Sequence, residues 1–221
     1  MVLESFRLSG NITRPSDFRY AKEIETMERK SDWNYPEPRK GLPGQWDKFI
    51  GPGATRAEQA IALVPAIVAA FAITWYAYAY DLGWNSVQYI VAALLALDMI
   101  GGVMTNATSS AKRWYHRSNQ TALHHLGFVA IHVLQIFLVA WLFRDLDMTY
   151  IVIVYSYLIV SAATVLFVPL RLQRSTALLF VCGAILMSEY VFVPTPGLEW
   201  FIPILFVKLL LSHLTVEEPY I

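Results

Sequence analysis

Six long apolar segments constrain the fold of this chain more than any other feature. They lie near residues 58–80, 86–108, 121–143, 149–168, 175–193 and 197–214. Each approaches the roughly 20 residues that cross about 30 Å of hydrocarbon. Because the inside of a bilayer offers no water, each segment must satisfy its own backbone hydrogen bonds and is expected to be a helix. The sequence predicts an all-α integral membrane protein, a bundle of about six transmembrane helices with a polar N-terminal arm.

The distribution of charge agrees with burial in a bilayer. Only 15% of the 221 residues are charged, against about 25% in soluble domains. Residues 1–57 hold ten of the seventeen Lys and Arg and eight of the seventeen acidic residues. We therefore expect a polar arm over 1–57, a transmembrane domain over 58–214 and a short tail over 215–221. The formal net charge of zero gives no electrostatic reason to expect binding of nucleic acid.

The basic residues of the loops predict an orientation. Five of them fall in the loops 109–120 and 169–174, against one, Arg144, in the opposite loops. The positive-inside rule then places both termini in the cytoplasm, for a multi-pass protein of the cytoplasmic (inner) membrane. The N-terminus lacks the apolar core of a signal peptide, so the first helix is expected to act as an uncleaved insertion signal. The arm is expected to fold over the cytoplasmic mouth, with a short helix near Asp17–Lys30.

Three ionisable side chains lie deep in the apolar segments and at a similar depth. Asp98, His132 and Lys208 are each eleven or twelve residues from the end of a helix that is predicted to face outward, which corresponds to roughly 16–18 Å. A charge at that depth costs several kcal/mol unless it is paired or hydrated. We therefore expect Asp98 and Lys208 to pair, with His132 within reach.

Helical spacing extends this polar group toward the cytoplasmic side. The second segment carries one continuous polar face, with Asn106 and Arg113 beside it, and the third segment carries another. These faces consist of Asp98, Gly102, Thr105, Ser109, Lys112 and His116, and of His125, Phe128, His132 and Gln135. Residues three or four apart share one side of an α-helix. The two faces are therefore predicted to line one cavity that opens to the cytoplasm.

The sixth segment is predicted to contribute a shorter polar stripe. Lys208, Ser212 and Thr215 share one side of an α-helix, whereas His213 would lie about 140° away from Lys208 and face elsewhere.

The leading interpretation is a membrane-embedded enzyme that acts on a lipid-like or amphiphilic substrate. Asp98 and His132 would transfer protons, and Lys208 would tune Asp98. Substrate-binding groups would be Gln135 in the cavity and, at its entrance, Asn106, Arg113 and His116.

Two other classes of function stay open. A proton-coupled small-molecule transporter also needs Asp, His and Lys at mid-depth on separate helices, although the sequence shows no discontinuous helix pair or repeat, and six helices would require a dimer. An accessory or assembly subunit would instead pack its polar face on a partner. The expected partners are the lipid bilayer, an amphiphilic substrate, and a homodimer or larger membrane complex.

The histidines also permit cofactor hypotheses, and none is assigned. His116, His125 and a carboxylate could hold one zinc or iron ion, with His132 as a further candidate ligand. A haem would need two facing histidines, such as His125 or His132 with His213. A purely structural interpretation is the alternative to these functional and cofactor hypotheses. In it, Asp98 and Lys208 only fix the packing of the helices, and His132 only forms a hydrogen bond with a neighbouring helix.

Overall fold

The computed structural model describes residues 34–217, which fold into an all-α bundle. Nine α-helices and one π-helix cover most of this range. They are α1 (Leu42–Ile50), α2 (Arg56–Ala79), α3 (Ser86–Ala107), α4 (Ser109–Tyr115), α5 (Ala122–Ala130), α6 (Val133–Phe143), α7 (Met148–Phe167), α8 (Leu170–Tyr190), α9 (Phe201–Phe206) and π1 (Val207–Leu214). The helix expected near Asp17–Lys30, like most of the arm, falls outside the described residues, as does the tail beyond 217.

Five helical stretches are long and apolar enough to cross a membrane, and the predicted all-α membrane bundle is confirmed. They are α2, α3, α5 with α6, α7 and α8; the sixth apolar segment, Phe201–Leu214, is shorter. The fifth predicted span begins too late, because α8 starts at Leu170, directly after Pro169. The loop that was expected over 109–120 contains the helix α4, and the described end of the arm contains α1.

Local capping fixes the start of the first span and ties it to α4. Thr55 and Glu58 form a capping box at the start of α2. The Glu58 carboxylate also accepts hydrogen bonds from the backbone N–H and the hydroxyl of Ser110, at 3.0 and 3.1 Å. One acidic residue in the first turn of α2 therefore positions two helices.

The sixth segment occupies the centre of the bundle. α9 and π1 pack against α3, α7 and α8, whereas α2 packs mainly on α3. Phe201, Leu205 and Leu209 are fully buried, while Phe71 and Trp75 of α2 are exposed as lipid-facing side chains would be. Because this central segment is enclosed by other helices, its polar residues face protein rather than lipid.

We call the end of the bundle that carries residues 108–121 and 168–174 the basic end. The opposite end is held by Arg144, which the sequence identified only as a loop charge. Its guanidinium donates to the Asp147 carboxylate at 2.9 Å, to the Val193 carbonyl at 2.8 Å and to the Thr195 hydroxyl at 2.7 Å. These bonds join the α6–α7 turn to the α8–α9 connection.

Gly51 lets the end of α1 lie directly on α4. Its φ is +95°, and a Cβ there would lie 2.3 Å from the carbonyl carbon of Ser110. The Tyr115 hydroxyl also donates to the Phe49 carbonyl at 2.7 Å. This contact holds residues from the described end of the arm against the basic end.

We expect Gly51→Ala to destabilise the protein much more than Gly83→Ala. Gly83 also has a positive φ, +69°, but nothing lies within 4 Å of its added Cβ. Both variants should therefore lose about 1–2 kcal/mol of unfolding free energy through backbone strain. Gly51→Ala should lose about 1–3 kcal/mol more, because its Cβ clashes with α4. Thermal unfolding in mild detergent measures the difference; equal melting temperatures would contradict the contact.

Candidate functional site

An ion pair lies halfway along the spans. The Lys208 Nζ donates to the Asp98 Oδ2 at 2.8 Å, so the expected pairing of these side chains is present. Asp98 is twelve residues into α3, which corresponds to about 18 Å. The Lys208 side chain is 3% exposed and that of Asp98 is 45% exposed. The lysine is thus enclosed by protein, and the carboxylate is accessible from one side.

Gly102 makes this pairing possible. A Cβ at Gly102 would lie 2.3 Å from Cε and 2.9 Å from Cδ of Lys208. The lysine side chain therefore crosses α3 at Gly102, one turn beyond Asp98. A larger residue at this position would occupy the space of the lysine side chain. This explains why a glycine lies in the middle of the polar face of α3.

Gln135 and His132 complete the polar group at this depth. The Gln135 Nε2 donates to the Asp98 Oδ2 at 3.3 Å, while its Oε1 is buried without a partner among residues 34–217. The His132 Nδ1 lies 2.8 Å from the Phe128 carbonyl, which requires the proton on Nδ1. His132 is also within electrostatic range of Asp98 and Lys208.

The third span is locally irregular at this depth. α5 ends at Ala130 and α6 begins at Val133, and Ile131 and His132 form a tight turn between them with right-handed helical backbone angles. The His132 N–H donates to the Val129 carbonyl, three residues earlier, at 3.1 Å, as in a 3₁₀ turn. The span Ala122–Phe143 therefore continues through this point.

The sixth span changes from α-helix to π-helix at Val207. In a π-helix, hydrogen bonds join residues five apart, so the α-helical angle of 140° between Lys208 and His213 does not apply here. The two side chains have different neighbours: Lys208 contacts Asp98 and Gly102 of α3. His213 contacts His125 and Phe128 of α5. Both side chains are 3% exposed and point into the bundle.

Three histidines form a buried cluster toward the basic end. The His213 Nε2 lies 3.2 Å from the His125 Nδ1, and the His116 Nε2 donates to the His213 carbonyl at 2.9 Å. The rings of His116 and His125 stack with centroids 4.7 Å apart. Phe128 lies between this cluster and the deeper group, with its ring 4.2 Å from His213 and 5.0 Å from His132.

This geometry bears on the metal and haem hypotheses. His132 lies apart from His116 and His125, and within residues 34–217 no group of three or more His, Cys, Asp or Glu could hold a metal ion. The 3.2 Å between the His125 and His213 nitrogens leaves no room for an iron porphyrin between those two rings.

Lys112 holds the end of the π-helix. Its Nζ donates to the carbonyls of Ser212 and Thr215 at 2.6 and 2.7 Å. Lysine is favourable beside the last carbonyls of a helix. Burial lowers the pKa of Lys112 to about 8. The continuous face expected from Asp98 to His116 is interrupted at Thr108, where α3 ends and α4 begins, and this break turns Lys112 toward π1.

A cavity of about 360 Å³ lies beside the histidine cluster at the basic end. It is lined by His116, Arg117, Ser118, Gln120, Thr121, Ala122, His125, Leu166, Gln173, Leu214 and Val216. Asn106 and Arg113, which were expected at the entrance, do not line it: Asn106 is buried in α3, and Arg113 donates to the Ser110 hydroxyl. Arg117, which the sequence suggested only as a topology signal, is the arginine at this cavity.

Comparison with models of protein families, with curated proteins and with solved structures gives no match. The class of the protein therefore follows from its own architecture. It is a polytopic α-helical membrane protein with an ion pair at mid-span, formed by a buried lysine and a half-exposed aspartate.

Gly102→Ala is expected to separate Lys208 from Asp98, whereas Gly101→Ala is not. A Cβ at Gly101 would lie 3.3 Å from the Ala66 Cβ and 3.8 Å from the Ala62 carbonyl oxygen, which is close to ordinary contact. Loss of the pair should cost about 1–3 kcal/mol, below the value for a fully buried pair because Asp98 is half-exposed. Melting temperatures of both variants in detergent test this, and a stable Gly102→Ala protein would argue against the crossing of Lys208 over α3.

The stability of the protein should fall as the pH drops below about 6.5. Burial, followed by the neighbouring His125 and Lys112, holds the pKa of His116 well below its ordinary value. Below pH 6.5 the unfolded chain therefore binds a proton that folded His116 does not. At pH 5.5 this costs on the order of 1 kcal/mol relative to pH 8.

His116→Gln should reduce that loss, and His124→Gln, at an exposed position on α5, should leave it unchanged. Chemical unfolding at pH 8 and pH 5.5 provides the comparison. An identical pH dependence in the wild-type protein and His116→Gln would show that His116 is not held neutral by burial.

Proposed function

We propose that the protein is a proton-coupled small-molecule transporter in which Asp98 binds and releases the proton. The observation that carries this proposal is the ion pair at mid-span, in which the half-exposed Asp98 carboxylate meets the buried Lys208. Ionisable side chains inside membrane spans are typical of ion pathways and proton relays. The helices beside the pair are irregular, with a tight turn at His132 and a π-helix that begins at Val207, and π-helical segments are frequent at functional sites.

A route for protons from the basic end supports the proposal. From the cavity, His125 contacts His213 through their ring nitrogens, and His213 lies five residues after Lys208 in the π-helix. The His213 Nδ1 is buried without a partner among the described residues, so it can bind a proton or a water molecule. The Phe128 ring lies between His213 and His132 and would act as the gate between the histidine cluster and the polar residues around Asp98.

Access from the other end is closed in this arrangement. Beyond the ion pair, the centre of the bundle is filled by buried apolar side chains such as Leu95, Ile136 and Leu205. An apolar seal on one side of the ion site is what one state of an alternating-access transporter requires.

Protonation of Asp98 would supply the driving force for a conformational change. It removes the counter-charge of Lys208 and leaves a buried ammonium group unpaired, which is strongly unfavourable. Gln135 could stabilise protonated Asp98, because its Oε1, which has no partner among the described residues, can accept a hydrogen bond from the protonated carboxyl group. The pair, Gln135 and the π-helix would then rearrange together.

In this account the protein lies in the cytoplasmic membrane with the basic end and both termini in the cytoplasm, which the basic loops favour. A homodimer would supply the additional helices that a six-span carrier needs. These assignments are part of the proposal.

The test is a pH step applied to protein reconstituted on a solid-supported membrane, with the transient current as the readout. A step from pH 8 to pH 6 should give a current in the wild-type protein and in Asp81→Asn, a change at an exposed turn. Asp98→Asn should reduce the current at least about tenfold, because no other carboxylate is at that depth in the described spans.

The double variant Asp98→Asn/Lys208→Met separates loss of the proton site from instability. It removes both charges, so no unpaired lysine is left in the bundle. It should fold and still give no current. A wild-type-sized current in Asp98→Asn, or no pH-dependent current in the wild-type protein, would contradict the proposal.

A membrane-embedded enzyme is the second candidate, and one observation favours it. The Asp98 carboxylate is half-exposed, so a lipid-like substrate could reach it, with His132 as the second proton-transferring group. Turnover of a substrate by the protein in detergent, without a sealed compartment, would favour the enzyme. An accessory subunit would show neither current nor turnover and would co-purify with a partner.

A further inference from the structure

The permanently charged residue that lines the cavity at the basic end is Arg117. The other ionisable lining residues are His116 and His125, and none of the described lining residues is acidic. The buried Lys112 adds a positive charge near His116, and Glu217 lies within electrostatic range of Lys112. A concave site with a fixed positive charge attracts anions, and the planar guanidinium of arginine matches the geometry of a carboxylate.

The walls of the cavity divide into a polar and an apolar part. Hydrogen-bonding side chains come from Ser118, Gln120 and Thr121 of the α4–α5 loop and from Gln173 of α8, whereas Leu166, Leu214 and Val216 are apolar. The volume of about 360 Å³ is near the lower limit of small-molecule pockets. It suits a short amphiphile with one charged end rather than a whole lipid.

The Arg117 side chain is held at the cavity by Trp114. Its guanidinium carbon lies 3.8 Å from the centre of the indole ring, and one of its N–H groups donates to the Trp114 carbonyl. The five donors of an arginine leave others available to a ligand. The side chain is therefore pre-positioned, which reduces the entropy that binding would cost.

We infer that this cavity is a binding site for the carboxylate group of a small amphiphilic molecule, with Arg117 as its charged partner. The inference rests on the proposed function in one respect: such a molecule is the class of substrate that the transporter would carry.

Binding is expected to be coupled to proton uptake. An anion beside His116 and His125 favours the charged form of an imidazole. The groups that face His116 are Lys112 of α4, His125 of α5 and the carbonyl of His213 in π1, with Arg117 in the following loop. Both histidines border the route to Asp98, so an anion and a proton would enter the same path.

Hexanoate is the probe for a direct test, with the full chain in nanodiscs of neutral phosphatidylcholine. Trp114 reports binding through its fluorescence, because Arg117 lies over its ring, and Trp114→Phe identifies the part of the signal that comes from this residue. We expect saturable binding of hexanoate, and at least about tenfold weaker binding of hexanol and hexylammonium.

Variants at Arg117 test whether its positive charge binds the carboxylate of hexanoate. Arg117→Gln should weaken hexanoate binding about tenfold, and Arg117→Lys, which keeps the charge, should retain most of it. Arg171→Gln, at an exposed position near the same end, should bind as the wild-type protein does. Equal binding by Arg117→Gln and Arg171→Gln, or equal affinity for hexanoate and hexanol, would overturn the inference.

A second set of nanodiscs, containing phosphatidylglycerol, distinguishes the source of the anion. If the site takes soluble carboxylates, hexanoate affinity is unchanged in these discs; loss of hexanoate binding there would show that the site takes lipid headgroups and overturn the small-molecule assignment. Failure of hexanoate to bind while the Asp98-dependent pH-step current persists would reject this ligand class alone. Binding without any current would instead reject the transporter.

Discussion

The cost of a lysine inside an apolar bundle is the constraint on which the rest of the structure depends. Lys208 is 3% exposed and lies in the most enclosed segment of the chain. A buried ammonium group is tolerated only with a counter-charge, which Asp98 provides at 2.8 Å. Gly102 must stay small for the two to meet. The arrangement of α3 against the sixth span therefore follows from one ionic contact.

Two buried lysines hold the π-helix, one at each end. Lys208 anchors its start to α3 through Asp98, and Lys112 binds the carbonyls at its end. Between these two anchors lies His213, whose ring contacts the histidine cluster beside the cavity. The counter-charge of Lys208 is on α3 and Lys112 is on α4, so a change of charge at Asp98 would act on the π-helix directly. In the proposed transporter, this contact would couple proton binding to the central helix.

The sequence predicts the spans and the ion pair, because both follow from the cost of placing polar groups in hydrocarbon. Asp98 and Lys208 could be paired from depth alone. The turn at His132 and the π-helix could not be predicted, since both depend on tertiary packing. Gly127 and Pro203 lie one turn before them, but neither residue type specifies a tight turn or a π-helix. The α-helical angle used to place His213 therefore does not apply. Arg113 was favoured over Arg117 because the face of the second segment was extended through Thr108, where the structure begins a new helix.

A solid-state NMR distance in lipid bilayers would test the contact between Lys208 and Asp98. Protein with ¹⁵N-labelled lysine and ¹³Cγ-labelled aspartate is measured by dipolar dephasing at pH 7.5. We expect strong dephasing that corresponds to a separation of about 3–4 Å between the Lys208 Nζ and the Asp98 Cγ, and its disappearance in Asp98→Asn but not in Asp81→Asn. Absence of such a contact in the wild-type protein would show that Lys208 is stabilised in another way and would remove the basis for the proton site.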